Sequence, residues 1–253
     1  MRFRFWKNKL KSTNNLIHIL FATMSNKNKL QRFAEIAELP NVFENFDFHD
    51  PHITNFQGER MEVKGHWNAL VFNAERPIVL ELACGKGEYT THLAQAHPEN
   101  NYIGIDIKGA RIWKGATMAQ QEGLTNVAFL RTRIELIQSF FAKDEVSEIW
   151  ITFPDPFLRD SKSNRRLTSH PFLDRYTGIL KPGAILHLKT DDPTLYAFTC
   201  KVLAQREDYE VIESTDDFYG EVKPTPETHL LTFYEQQHLA AGKKITYIKF
   251  MMK

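Results

Sequence analysis

The sequence predicts a doubly wound α/β fold with a mostly parallel, seven-stranded sheet. Three observations carry this. Short apolar runs at 78–82, 102–107, 127–130, 149–153 and 185–189 read as buried parallel strands. Helical patterns at 88–96, 109–122, 134–142, 170–180 and 193–205 alternate with them. Proline and glycine punctuate the alternation, with Pro98, Gly123 and Pro182-Gly183 standing at helix ends. Two further strands are expected at 209–213 and 245–251, with a connection of about 30 residues between them that holds Pro224 and Pro226.

The N-terminal third is less regular. Leu30, Phe33, Ala34 and Ala37 recur at helical spacing and predict a short helix over 28–38. Residues 39–77 hold Pro40, Pro51 and Pro77 among many aromatics and read as an irregular lead-in packed on the main domain. The expected organisation is a basic extension at 1–23, a helical and irregular lead-in at 24–77, and the sheet domain at 78–253. From Met1 to Ala34 there are eight basic residues and no acid, a balance suited to a solvated tail, to nucleic acid or to a membrane surface. Met24 opens the first amphipathic pattern, so residues 1–23 read as an extension upstream of an alternative start.

Composition narrows the class. The 253 residues are 42% hydrophobic and 25% charged, which excludes disordered, collagen-like and coiled-coil chains. No run reaches the roughly 18 apolar residues of a membrane span, so no membrane association is expected. Two cysteines, Cys84 and Cys200, cannot build a disulfide framework or a cysteine zinc site. A reducing, cytoplasmic location is expected, and no metal: His49 and His52 read as surface histidines.

The chemistry begins where the first strand runs through Glu81 into Gly85 and Gly87. Glycines there allow a ligand to approach the backbone, and the following helix aims free N–H groups at it. Asp106 ends the second strand, 25 residues after Glu81, where an acid accepts ribose hydroxyls. An adenosine-containing cofactor follows. A dinucleotide fingerprint needs a third glycine, but Thr90 stands there. Glu81 would repel a pyrophosphate and suits the cationic end of S-adenosylmethionine. Cys84 reads as a small buried residue beside the turn.

The most specific feature is Phe153-Pro154-Asp155-Pro156, at the carboxyl edge of the fourth strand. Two prolines hold Asp155 in a stiff turn. Arg159, Lys162, Arg165 and Arg166 follow against Asp160 alone, a patch suited to phosphate. Trp113 and Ile112 read as core, and Tyr219 and Tyr234 as packing residues.

Taken together, the Glu81–Gly87 turn, the 153–156 run, Asn164-Arg165-Arg166-Leu167-Thr168, Lys189-Thr190-Asp191 and Thr232-Phe233-Tyr234-Glu235 resemble the tRNA (guanine-N7-)-methyltransferases. The resemblance spans roughly 78–250. It implies a Rossmann-like class I methyltransferase that moves a methyl group from S-adenosylmethionine to guanine N7 of tRNA, typically guanosine 46 of the variable loop. It implies cofactor contacts at Glu81, Gly85, Gly87, Asp106, Thr132 and Asp155. Asp155 would be catalytic, placed where cofactor and base meet. Arg159, Arg165, Arg166, Asp191, Thr232 and Glu235 would line the substrate side. Arg159 replaces a family lysine, and Thr132 stands where the family often has an acid near the adenine. Guanine N7 has no proton to lose, so alignment and charge support would do the work. Which of Asp155, Asp191 and Glu235 holds the guanine edge is open at this point, as is monomer or homodimer. The competing readings are methylation of another RNA or a small molecule, an inactive RNA-binding protein and, last, a nicotinamide-dependent oxidoreductase.

Overall fold

A computed structural model describes residues 27–222, 225 and 232–253. The N-terminal arm up to residue 26, Met24 included, and Pro224 and Pro226 lie outside the described residues.

Asn28 caps the first helix, α1 (Lys29–Ile36), through a reciprocal capping box with Gln31. Three short strands follow: β1 (Val42–Glu44), β2 (Ile53–Thr54) and β3 (Arg60–Met61). The main alternation then runs β4 (Ile78–Leu82), α2 (Glu88–Ala96), β5 (Asn101–Asp106), α3 (Gly109–Gln121), β6 (Val127–Arg131), α4 (Ile137–Phe140) and β7 (Val146–Thr152). It continues with α5 (His170–Thr177), β8 (Leu180–Thr190), α6 (Pro193–Leu203), β9 (Tyr209–Thr215), α7 (Phe218–Glu221), α8 (Phe233–Ala240) and β10 (Thr246–Met252).

All strands join one sheet in the order β3-β2-β1-β6-β5-β4-β7-β8-β10-β9. The centre, from β1 to β8, is parallel, and β10 runs antiparallel between β8 and β9. The seven strands expected after residue 78 are present. The lead-in adds three more, which corrects its reading as helical and irregular. Its strands are only two or three residues long, too short for a period-2 pattern to register. Val42 and Phe43 are buried, and β1 pairs in parallel with β6. Trp67 then locks the lead-in down: its indole N–H donates to the Phe140 carbonyl at 2.8 Å and its ring stacks on Phe141.

Side chains alternate across the sheet. Val79, Tyr102, Phe129 and Trp150 pack with Leu93 of α2 and Ile112 and Ala116 of α3 on one face. Leu80, Ile103, Ile149 and Leu186 pack with α4, α5 and α6 on the other. Trp113 is buried, as expected for a core residue, and its N–H donates to Glu35 of α1. The chain proceeds from β4 to β5 and β6 on one side, then crosses to β7 on the other. This reversal opens a crevice beyond the carboxyl ends of β4 and β7.

Candidate functional site

The crevice begins at Glu81, which is buried at the end of β4. Its carboxylate accepts the Thr90 N–H at 2.8 Å, the Thr152 hydroxyl at 3.0 Å and, in a short contact, the Thr90 hydroxyl. All three donors are neutral. Burial therefore dominates and pushes the carboxyl up to about 7, with the Asp106 charge adding to the rise. Thr90, which breaks the dinucleotide pattern, is thus one of the groups that hold this acid.

The two glycines of the turn differ. Gly85 sits at φ +56°, and a Cβ there would meet nothing closer than 3.9 Å. Its open side fits a ligand passing close to the backbone. Gly87, at φ +67°, faces inward, where a Cβ would lie 2.5 Å from the Phe129 ring and 3.3 Å from Gly115. Gly87 lets α2 approach the sheet and α3, so helix packing explains it without a ligand. Cys84 is buried beside the turn, and burial raises its thiol well above the ordinary range.

Asp106 accepts the Gly85 N–H at 3.0 Å and the Lys108 N–H at 2.8 Å, one on each oxygen. Each oxygen keeps a lone pair for further donors, such as ribose hydroxyls. The next strand end carries Thr132, buried, whose hydroxyl accepts the Asn45 amide at 3.1 Å. Asn45 belongs to the lead-in. Phe46 and Phe48 from the same turn line a cavity with Ile107, Thr132 and Leu136. The lead-in thus builds one wall where the sequence offered only Thr132. His49 sits on that turn, its N–H held by Asp47; among the described residues no metal-binding cluster occurs.

On the other bank, Phe153 and Phe157 both adopt left-handed backbone, at φ 48° and 42°. Such conformations are costly for aromatic residues and persist where the surroundings impose them. Asp155 is exposed between them and accepts the Phe157 N–H at 3.0 Å. Arg166 does the holding. It is 3% exposed, donates to the Pro156 carbonyl at 2.9 Å and the Phe157 carbonyl at 3.1 Å, and lies over the Phe198 ring. The expectation that Arg166 binds phosphate therefore needs correction: its guanidinium is committed to the loop backbone. Arg159 and Arg165 are exposed, with Arg165 over the Phe157 ring.

The remaining substrate-side acids carry cationic partners. Asp191 pairs with Lys243 at 2.6 Å and lies 3.3 Å from the His238 ring. His238 also stacks on Phe153, which ties α8 to the Asp155 loop. Thr232 caps α8 by accepting the Glu235 N–H, and it lines one cleft with Glu81, Gly85, Tyr89, Thr152 and Phe153. Glu235 is fully buried and pairs with Lys189 at 2.5 Å. Burial pulls the Lys189 ammonium below its usual range, and Glu235 opposes that shift. Tyr219 is a packing residue as expected, but its hydroxyl also donates to Glu235 at 2.7 Å. The side chain of Tyr234 lies outside the described residues.

Asn45 and Thr152 escaped the sequence reading, and Thr90 and Lys189 were named there without these contacts. Thr90 and Thr152 have no motif of their own, because any hydroxyl at those positions would serve. Lys189 stands in the Lys189-Thr190-Asp191 run, and the physical signal of a role is its charge at an inward position of a buried strand.

The family model described as "Putative methyltransferase" matches residues 75–248. The tRNA (guanine-N(7)-)-methyltransferase of Christiangramia forsetii is 48% identical over 91% of this chain and 100% of its own length. The enzyme of that name from Bacteroides thetaiotaomicron is 45% identical over 89% of this chain and 86% of its own. Among solved structures, the 16S rRNA methyltransferase KamB aligns with a TM-score of 0.57 at 14% identity, covering 77% of this chain and 96% of that one. The 16S rRNA (adenine(1408)-N(1))-methyltransferase of Catenulisporales acidiphilia aligns at 0.54 and 15% identity, covering 77% of this chain and 95% of its own. These two establish the class I methyltransferase fold alone. The match over 75–248, together with near full-length relatives at 45% and 48% identity, shows that the chain belongs to the tRNA (guanine-N(7)-)-methyltransferase family.

Proposed function

We infer that this protein transfers the methyl group of S-adenosylmethionine to N7 of guanine in tRNA, with guanosine 46 of the variable loop as its target. One observation carries the reading beyond family membership: Glu81 is a buried carboxylate beside the open turn at Gly85, held among the described residues by neutral donors. A buried anion without a counter-charge suits a cationic ligand. When bound, S-adenosylmethionine supplies an electrophilic sulfonium methyl group. Glu81 would face its cationic end, Gly85 would admit it to the backbone, and Asp106 would accept the ribose hydroxyls. Thr132 and Asn45 offer the polar contacts of the adenine end.

The chain's own part is positioning. Guanine N7 attacks with an in-plane lone pair, so no side chain has to remove a proton. The base becomes positively charged, and a carboxylate nearby supports it. Asp155 is the anion on the rigid loop between the two strained phenylalanines, and we assign it that role. Arg159 and Arg165 would contact phosphates, and the basic arm at 1–23 would add to them. The variable loop makes a purine accessible without opening a duplex. Such a substrate fits a cytoplasmic enzyme. Among the described residues no helix is long and apolar enough to cross a membrane.

The test is methyl transfer from labelled S-adenosylmethionine to an unmodified tRNA transcript, with N7-methylguanine located by reduction and chain scission. A single cut at position 46 is expected, and its loss in Asp155→Ala with cofactor affinity intact. Label elsewhere in the tRNA would overturn the assigned position. Normal cofactor binding with no label in any tRNA would overturn the substrate.

A further inference from the structure

Lys189 lies at an inward position near the end of β8 and is completely buried. The rings around its ammonium are Tyr89, Phe218 and Tyr219, 4.8 to 5.8 Å from the nitrogen. A lysine in such surroundings is expensive to desolvate, and an apolar residue of similar length would fit the same space at less cost. Its contacts link two parts of the site. The ammonium donates to the Tyr89 hydroxyl at 3.4 Å and the Tyr219 hydroxyl at 3.3 Å, and pairs with Glu235 Oε1 at 2.5 Å. Tyr89 and Thr232 both line the cleft below Gly85, and Thr232 accepts the Glu235 N–H. One buried cation therefore joins the wall of the cofactor cleft to the run at 232–235.

The carboxylate of Glu235 is unevenly satisfied. Oε1 takes both the Lys189 ammonium and the Tyr219 hydroxyl. Oε2 is buried and has no hydrogen-bond partner among the described residues. A buried carboxylate oxygen without a donor is rare and costly, and it marks a place where a donor arrives from outside. The other two candidate acids differ. Asp191 is already neutralised by Lys243, and Asp155 is exposed and turned to its own loop. The donors a guanine presents on its Watson–Crick edge, N1–H and the 2-amino group, are the kind that Oε2 lacks.

We propose that Lys189 is a positioning residue for guanine recognition: by holding Glu235 through Oε1, it leaves Oε2 to accept from the guanine edge. This rests on the tRNA-guanine function inferred above and deepens it. Lys189 itself touches no substrate; it acts through Glu235.

The experiment compares transcripts carrying guanosine or inosine at the target position. Inosine keeps N7, O6 and N1–H and lacks only the 2-amino group. The wild type is expected to lose roughly tenfold in kcat/KM on inosine, the size of one buried hydrogen bond to a charged acceptor. In Lys189→Met combined with Glu235→Gln, the pair becomes neutral and of similar volume. That variant should keep its Tm and its cofactor Kd, fall at least tenfold in kcat/KM on guanosine, and treat the two substrates alike. Glu235→Gln alone should also lose the preference. A folded double variant that keeps the wild-type preference would reduce the pair to scaffolding and overturn the proposal. A wild type that methylates guanosine and inosine equally also overturns it, while leaving the inferred function standing. A wild type that transfers no methyl group overturns both.

Discussion

The two banks of the crevice treat their carboxylates in opposite ways. On the β4–β6 side, Glu81 and Asp106 accept from hydroxyls and backbone N–H groups among the described residues. On the β8–β10 side, Glu235 and Asp191 each hold a lysine. The first bank leaves its two acids on uncharged donors, and the second pairs each acid with a cation. A cofactor that arrives with a positive charge needs the former. A neutral base that becomes positive only during transfer needs a positioned acceptor more than a standing field. The contrast assigns the ligand's charge to one bank and the reading of the base to the other.

The contrast breaks most directly at Glu81. Glu81→Gln keeps the size and removes the uncompensated charge. It should weaken S-adenosylmethionine by about 100-fold in calorimetric titration, within the range for truncating a desolvated charge contact. Unchanged affinity would mean that the first bank serves folding alone. The pH dependence sharpens the same point. With its folded pKa near 7 against an ordinary value of 4.5, Glu81 favours the protonated form on folding. Its contribution to the ligand-free protein is fully present below pH 4.5 and is lost as pH rises through 7. The Glu81→Gln variant should therefore gain on the wild type, by on the order of 3 kcal/mol, in denaturation midpoints followed from pH 4.5 to 8. Affinity for the cation should run the other way and fall about tenfold per pH unit below 7 in the wild type only.

The glycines sharpen the comparison within one turn. Gly87→Ala drives a Cβ into Phe129 at a left-handed φ, so unfolding should cost about 2–3 kcal/mol less. Gly85→Ala meets open space and carries only the φ strain, about 1–2 kcal/mol. Its excess effect should appear in cofactor affinity. Equal losses of stability with equal cofactor binding would remove the distinction between a packing glycine and a ligand glycine.

Much of this was legible in the sequence, for reasons particular residues make plain. The central strands announced themselves because both faces are buried, so 78–82 and 102–107 read as apolar runs broken only by Gly104 and the acids Glu81 and Asp106. Glu81, Gly85 and Asp106 were legible because their spacing is fixed by one strand–turn–helix–strand unit. The lead-in was not, because β1 takes its shape from pairing with β6, some 87 residues away in the Glu44↔Arg131 register. Lys189 and Glu235 stand 46 residues apart, and nothing local marks two charges as partners. Gly85 and Gly87 looked alike because the sequence shows the absence of a side chain but not what would have met it.

Arg165 and Arg166 make the sharpest case, since they are adjacent, identical in chemistry and opposite in placement. Arg165 is exposed over Phe157, whereas Arg166 is buried against the Pro156 and Phe157 carbonyls. Removing a side chain that meets a phosphate releases one fewer counterion, so Arg165→Ala should lower the slope of log affinity against log salt by about one and leave the Tm near wild type. Arg166→Ala strips two charged donors from buried carbonyls and frees a loop with two strained residues. It should cost about 2–4 kcal/mol of stability and reduce kcat, with the salt slope unchanged. Arg166→Lys separates charge from shape: a lysine keeps the cation but not the fork that reaches both carbonyls, so most of the Arg166→Ala loss should remain. A salt slope that falls with Arg166→Ala as much as with Arg165→Ala would mean that Arg166 leaves its carbonyls for the RNA, and the loop around Asp155 would then be shaped by the substrate rather than before it arrives.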